Sequence, residues 1–167
     1  MARGRFGRIW RVSVDPLVYS ESWPVRHYEL DSNGHVNNAV YLNYAEALTI
    51  EHAERSGFGA AWTKAQGGAW VVHRNVVAHH RPALYGDVLD LTVRVLLVKG
   101  TRGVRRTEIT RDGGEMVATV LTEWVWVRLS DGRPSMVPRR LVDAAGAATD
   151  ATLRERPSFL HDLRQIL

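Results

Sequence analysis

The chain has 167 residues, 45% of them hydrophobic and 24% charged, which suits one compact domain with a real core. It contains no cysteine, so disulfides, thiolate metal sites and a cysteine nucleophile are excluded. The net charge of +4 is carried almost wholly by arginine, Lys64 and Lys99 being the only lysines, but these cations are scattered and no nucleic-acid motif accompanies them.

No apolar run approaches the ~18 residues that span a bilayer. The opening Met1-Ala2-Arg3-Gly4-Arg5-Phe6-Gly7-Arg8 lacks the apolar core of a secretory signal. A cytoplasmic protein with neither nucleic-acid nor membrane partners is therefore expected. Residues 1–20 read as an arginine-bearing arm. Alternation around Trp23-Pro24-Val25-Arg26-His27-Tyr28-Glu29-Leu30 predicts a first strand with Pro24 near its start.

Next comes Asp31-Ser32-Asn33-Gly34-His35-Val36-Asn37-Asn38, a loop of turn formers that runs into helical spacing. It brings a carboxylate, amides and an imidazole to a helix N-terminus, whose free N–H groups carry partial positive charge. Such a place can hold a developing oxyanion while a carboxylate attacks or activates water. The helix is expected over residues 38–56, apolar nearly all round and so buried except at its far end. Within it, Glu46 reads as a buried structural acid.

A loop is expected near residues 59–68, then strands over 69–80, 88–98, 103–111 and 115–129, with turns at Lys99-Gly100-Thr101 and Asp112-Gly113-Gly114. A short helix is expected over residues 139–145, and Leu160, Leu163 and Leu167 fit a second one beyond a linker. The division is an arm (1–20), one domain (21–145) and a C-terminal extension (146–167). One helix followed by antiparallel strands argues an α+β fold. His73, His79 and His80 lack ligand spacing, so no metal is expected. Trp62, Trp70 and Tyr85 are candidate pocket or core aromatics.

The element order and the pieces Glu29-Leu30-Asp31, Gly34-His35-Val36-Asn37-Asn38, Tyr41, Tyr44 and Glu46, with Pro82, Gly86-Asp87 and Thr122-Glu123-Trp124-Val125, resemble the 4-hydroxybenzoyl-CoA thioesterase-like acyl-CoA thioesterases. These have the hotdog fold, a sheet wrapped around one long helix. The loop is also similar to that of plant acyl-ACP thioesterases. The first resemblance implies Asp31 as the catalytic carboxylate, nucleophile or general base, with the backbone N–H of Asn38 polarising the thioester carbonyl. The second implies roles for Asp31, Asn33 and His35. Together they imply an acyl-CoA or acyl-ACP substrate, no cofactor beyond the CoA of the substrate, and a homodimer or homotetramer. Arg81, Arg74, Arg102 and Arg105 are candidates for the CoA phosphates, since guanidinium grips phosphate in bidentate fashion. The competing readings are a non-catalytic acyl-thioester-binding module and a hotdog hydratase or dehydratase.

Overall fold

Five strands build one antiparallel sheet in the order β1-β3-β4-β5-β2: β1 Val18–Pro24, β2 Gly68–His79, β3 Val88–Lys99, β4 Arg102–Arg111 and β5 Glu115–Arg128. The structure is a computed structural model that describes residues 15–146. Most of the expected arm, and the helix expected around Leu160, lie outside the described residues. The four later strands form over the expected ranges, to within one residue. On β3, Leu89, Leu91 and Val93 are fully buried, while Asp90 and Arg94 are exposed between them. Side chains on a strand alternate between faces, so one face feeds the core and the other meets solvent.

The first strand corrects the expectation. It starts at Val18, and His27–Glu29 is a single 3-10 turn rather than strand. The Glu29 carboxylate accepts a hydrogen bond from the Arg26 N–H at 2.7 Å, which closes that turn. A three-residue alternation cannot distinguish this turn from an edge strand. The true strand was hidden by Ser20, Glu21 and Ser22, whose types are poor strand formers. In place, Ser20 and Ser22 bond across to Thr92 and Asp90 on β3. Glu21 accepts from the Trp23 indole at 2.8 Å.

The long helix, α1 (Val40–Arg55), lies on the sheet and buries Tyr41, Tyr44, Ala45, Leu48 and His52. That spacing is one stripe, at steps of three and four. The other side is open: Asn43, Glu46, Ala47 and Glu54 are exposed, and Ile50 is 54% exposed. Burial all round is therefore corrected, because a single sheet covers only one face of a helix. Glu46 is likewise not buried; the buried acid beside the loop is Glu29, 7% exposed. The expected loop after α1 contains a short helix, α2 (Ala60–Ala65), whose first N–H is accepted by Glu54 at 2.7 Å. A last helix, α3 (Arg139–Ala145), forms where expected.

Candidate active site

The loop from Asp31 to Asn37 is held from three sides. Its ends pair through a bridge between Leu30 and Val36. The Val36 N–H donates to the Ala83 carbonyl at 2.8 Å, and the Asn37 N–H to the Glu29 carbonyl at 2.8 Å. The reversal is made at Gly34, whose φ of +76° is a left-handed conformation that suits glycine. Behind the loop, Glu29 forms a clamp. Its carboxylate receives the Tyr44 hydroxyl of α1 at 2.6 Å, as well as the Arg26 backbone. Burial first, and then this carboxylate, push the Tyr44 hydroxyl well above its usual range. The clamp ties the start of the loop to the second turn of α1.

Within the loop, Asp31 uses one oxygen to organise its own backbone. Oδ1 accepts from the Asn33 N–H at 2.8 Å and the His35 N–H at 3.1 Å. Among the described residues, Oδ2 has no hydrogen-bond partner. Asn37 starts the helix: its side chain accepts the Ala39 N–H at 2.9 Å and its carbonyl the Val40 N–H. The Asn38 N–H is left without an acceptor among the described residues.

Asp31, His35 and Asn38 line one open cleft of about 240 Å³. Its far wall comes from the end of β2 and the residues after it, His79, His80 and Arg81, with Tyr41 at the base. The His79 ring meets the edge of Tyr41 at 5.2 Å between centroids, and His80 Nε2 lies 3.2 Å from the Thr119 hydroxyl. Burial raises the Tyr41 hydroxyl above its usual range. Asn33 does not line the cleft; it is exposed and contributes its backbone N–H to Asp31. In the sequence, the wall residues His79 and His80 stand out only as possible metal ligands. Nothing local to their strand shows that they face a loop more than forty positions earlier.

The four arginines do not form one patch. Arg81 lines the cleft. Arg74 sits on β2 opposite Glu123, and Arg102 is bonded to the buried Glu123 carboxylate at 2.7 Å. Arg105 is set apart from Arg81: it lines a second cavity toward the other end of α1. There its Nη1 donates to His52 Nδ1 at 3.1 Å, while His52 Nε2 donates to the Asp15 carbonyl at 2.9 Å. Burial lowers the His52 imidazole, Arg105 adds to this, and the Asp15 carbonyl opposes it. An imidazole depressed in the folded state binds fewer protons there than in the unfolded chain, whose value is about 6.5. Stability should therefore decline as pH falls below about 6.5, down to the folded value. Thermal melts across that window should show a shallower decline in His52→Gln than in the wild type.

Of the aromatics, Trp62 packs against Phe58 and Trp126, and Trp70 meets Trp126 edge-on at 5.3 Å. Trp70 also lines the second cavity, while Tyr85 is 68% exposed.

The family profile described as thioesterase-like superfamily matches residues 25–145. The long-chain acyl-CoA thioesterase FadM of Escherichia coli is 34% identical over 106 residues, covering 63% of this chain and 80% of that protein. A chloroplastic palmitoyl-acyl carrier protein thioesterase of Gossypium hirsutum is 26% identical over 141 residues, 80% of this chain. This chain spans about a third of that plant protein, 34%. Among solved structures, "YbaW Probable Thioesterase" from Escherichia coli superposes with a TM-score of 0.68 at 27% identity, covering 80% of this chain and 99% of that one. The sheet order, the long helix laid on it and these matches converge: the chain belongs to the thioesterase-like superfamily, hotdog-fold hydrolases of thioesters.

Proposed function

We propose that this protein hydrolyses an acyl-CoA or acyl-ACP in the cleft at Asp31. The observation that carries the reading is the division of labour on one carboxylate. Oδ1 is occupied by two loop N–H groups, while Oδ2 has no partner among the described residues in a cleft that Asn38 also lines. A carboxylate held by one oxygen keeps the other in a defined direction, which is what an attacking or proton-abstracting group needs.

Two routes fit this arrangement. In the first, Oδ2 takes a proton from water as the water oxygen attacks the thioester carbon. In the second, Oδ2 attacks that carbon itself, forming a mixed anhydride that water then cleaves. Either way the carbonyl oxygen gains negative charge, and the Asn38 N–H is the donor to receive it. The C–S bond then breaks, and the thiolate takes up a proton, leaving a free acid and a thiol. His35 stands on the cleft wall, where it would assist water activation. Arg81, which lines the same cleft, would meet a phosphate of the substrate.

The relatives support both thioester classes, since FadM is named for long-chain acyl-CoA and the plant enzyme for palmitoyl-acyl carrier protein. A cytoplasmic homodimer or homotetramer belongs to this proposal. Its physical support is the edge strand β2, which exposes Val71 and Val72 beside an unpaired ladder.

The test is hydrolysis of an acyl-CoA panel, followed by thiol release, in wild type and two variants at one position. Asn38→Ala keeps the backbone N–H and should retain most activity. Asn38→Pro deletes it, two positions ahead of α1, where this N–H makes no backbone bond among the described residues. The deletion should cost about 10²–10³ in kcat. Equal activity in the two variants, both folded by circular dichroism, would remove the oxyanion role. No thiol release by wild type across the panel would remove the hydrolase reading.

A further inference from the structure

The second cavity holds about 300 Å³ between the C-terminal half of α1 and the sheet. Its wall is mostly apolar, with Ile50, Trp70, Val95 and Trp124 among the residues that form it. Among the described residues, Arg105 is the one cation that lines it. Among the described residues no carboxylate lies within ion-pair distance of that guanidinium, whose one described bond is to His52. A guanidinium has five donor hydrogens. Withdrawing it partly from water without an anion is costly: Arg105 is half-buried, and desolvation lowers it to about 10.

His52 holds this group in place. Its Nε2–H is committed to Asp15, so its Nδ1 must accept from Arg105, and the Tyr19 ring stacks on it at 5.7 Å between centroids. The Trp124 ring lines the same cavity, and its buried indole N–H has no acceptor among the described residues. Two carboxylates, Glu46 and Glu54, also line the cavity, and neither pairs with Arg105 among the described residues. Glu54 caps α2, and Glu46 is exposed.

We infer that this cavity is a binding site for a free amphipathic carboxylate, with its head on Arg105 and its apolar body among Ile50, Trp70 and Trp124. The volume corresponds to about ten waters, which suits a small alkyl or aryl acid such as octanoate. The site is separate from the Asp31 cleft. Tyr41 of that cleft and Ile50 are nine positions apart on α1, roughly 14 Å along the helix axis at 1.5 Å per residue. A carboxylate is also the product class of thioester hydrolysis. The binding inference does not depend on that reaction.

Calorimetric titration of octanoate and octanol into the full chain tests this, with four proteins compared: wild type, Asp31→Asn, Arg105→Met and Ala53→Phe. The expected result is one octanoate site per chain in both wild type and Asp31→Asn. Octanol should bind at least tenfold more weakly. Arg105→Met should weaken octanoate at least tenfold. Ala53→Phe keeps the guanidinium but fills the cavity, and should do the same; it settles the matter if Arg105→Met fails to fold. Undetectable octanoate binding to wild type, equal affinity for octanol, or unchanged affinity in a folded cavity variant would overturn the inference. Thiol release measured on the same wild-type sample reports separately on the Asp31 reading, so either can fail alone.

Discussion

Asp31→Asn should lose about 10²–10⁴ in kcat for acyl-CoA hydrolysis and leave the thermal midpoint essentially unchanged. The two effects separate because the two oxygens of this side chain have different tasks. Oδ1 holds the Asn33 and His35 N–H groups, and an asparagine oxygen can keep both bonds. What asparagine cannot do is take a proton from water or attack as an anion. Asp31→Ala is the less informative variant. It removes the loop's internal acceptor as well and should cost about 1–2 kcal/mol, mixing a structural loss with a chemical one. Rates from thiol release, with melting curves on the same preparations, check both statements. An Asp31→Asn enzyme turning over at the wild-type rate would exclude Asp31 as base or nucleophile.

Glu29→Ala should be the most damaging single change behind the site. Its carboxylate is buried and collects the Tyr44 hydroxyl, the Arg26 N–H and, at 3.3 Å, the Arg26 guanidinium. Truncation leaves a buried tyrosine hydroxyl unpaired and opens the 3-10 turn. Together these should cost about 2–4 kcal/mol. The backbone consequence follows, since the Glu29 carbonyl also receives the Asn37 N–H. When the turn loosens, the distance between Asp31 and the Asn38 N–H is no longer defined. The expected kinetic signature is a fall in kcat larger than any rise in KM. Tyr44→Phe removes only one bond and should cost about 1 kcal/mol. Denaturant midpoints and steady-state kinetics on the two variants would show this order. A Glu29→Ala protein as stable as Tyr44→Phe would mean that the clamp does not hold the loop.

Strand β3 was legible in the chain because alternation over ten or more residues has one structural reading, and β2, β4 and β5 because β-prone residues run between turn formers. The loop Asp31–Asn38 was legible because its residue types are those that turn a chain and start a helix. What failed was short or context-bound. A strand carrying Ser20, Glu21 and Ser22 forms only because Thr92 and Asp90 wait on β3 to bond it. The stretch around Arg26–Glu29 curls because one carboxylate reaches back to a backbone N–H. The apolar count of α1 could not tell one covered face from two, and so misplaced the buried acid at Glu46 instead of Glu29.

Local sequence thus determined which segments extend, which coil, and where a carboxylate would meet a helix start, since those outcomes depend on neighbours within a few positions. Tertiary packing alone decided the rest. It carried His79, His80 and Arg81 across the sheet to face Asp31, and it sent Arg105 away from them into a cavity beside His52. The reason is that strand pairing and helix docking join residues tens of positions apart, and the energy of those contacts is written in no single stretch of the chain.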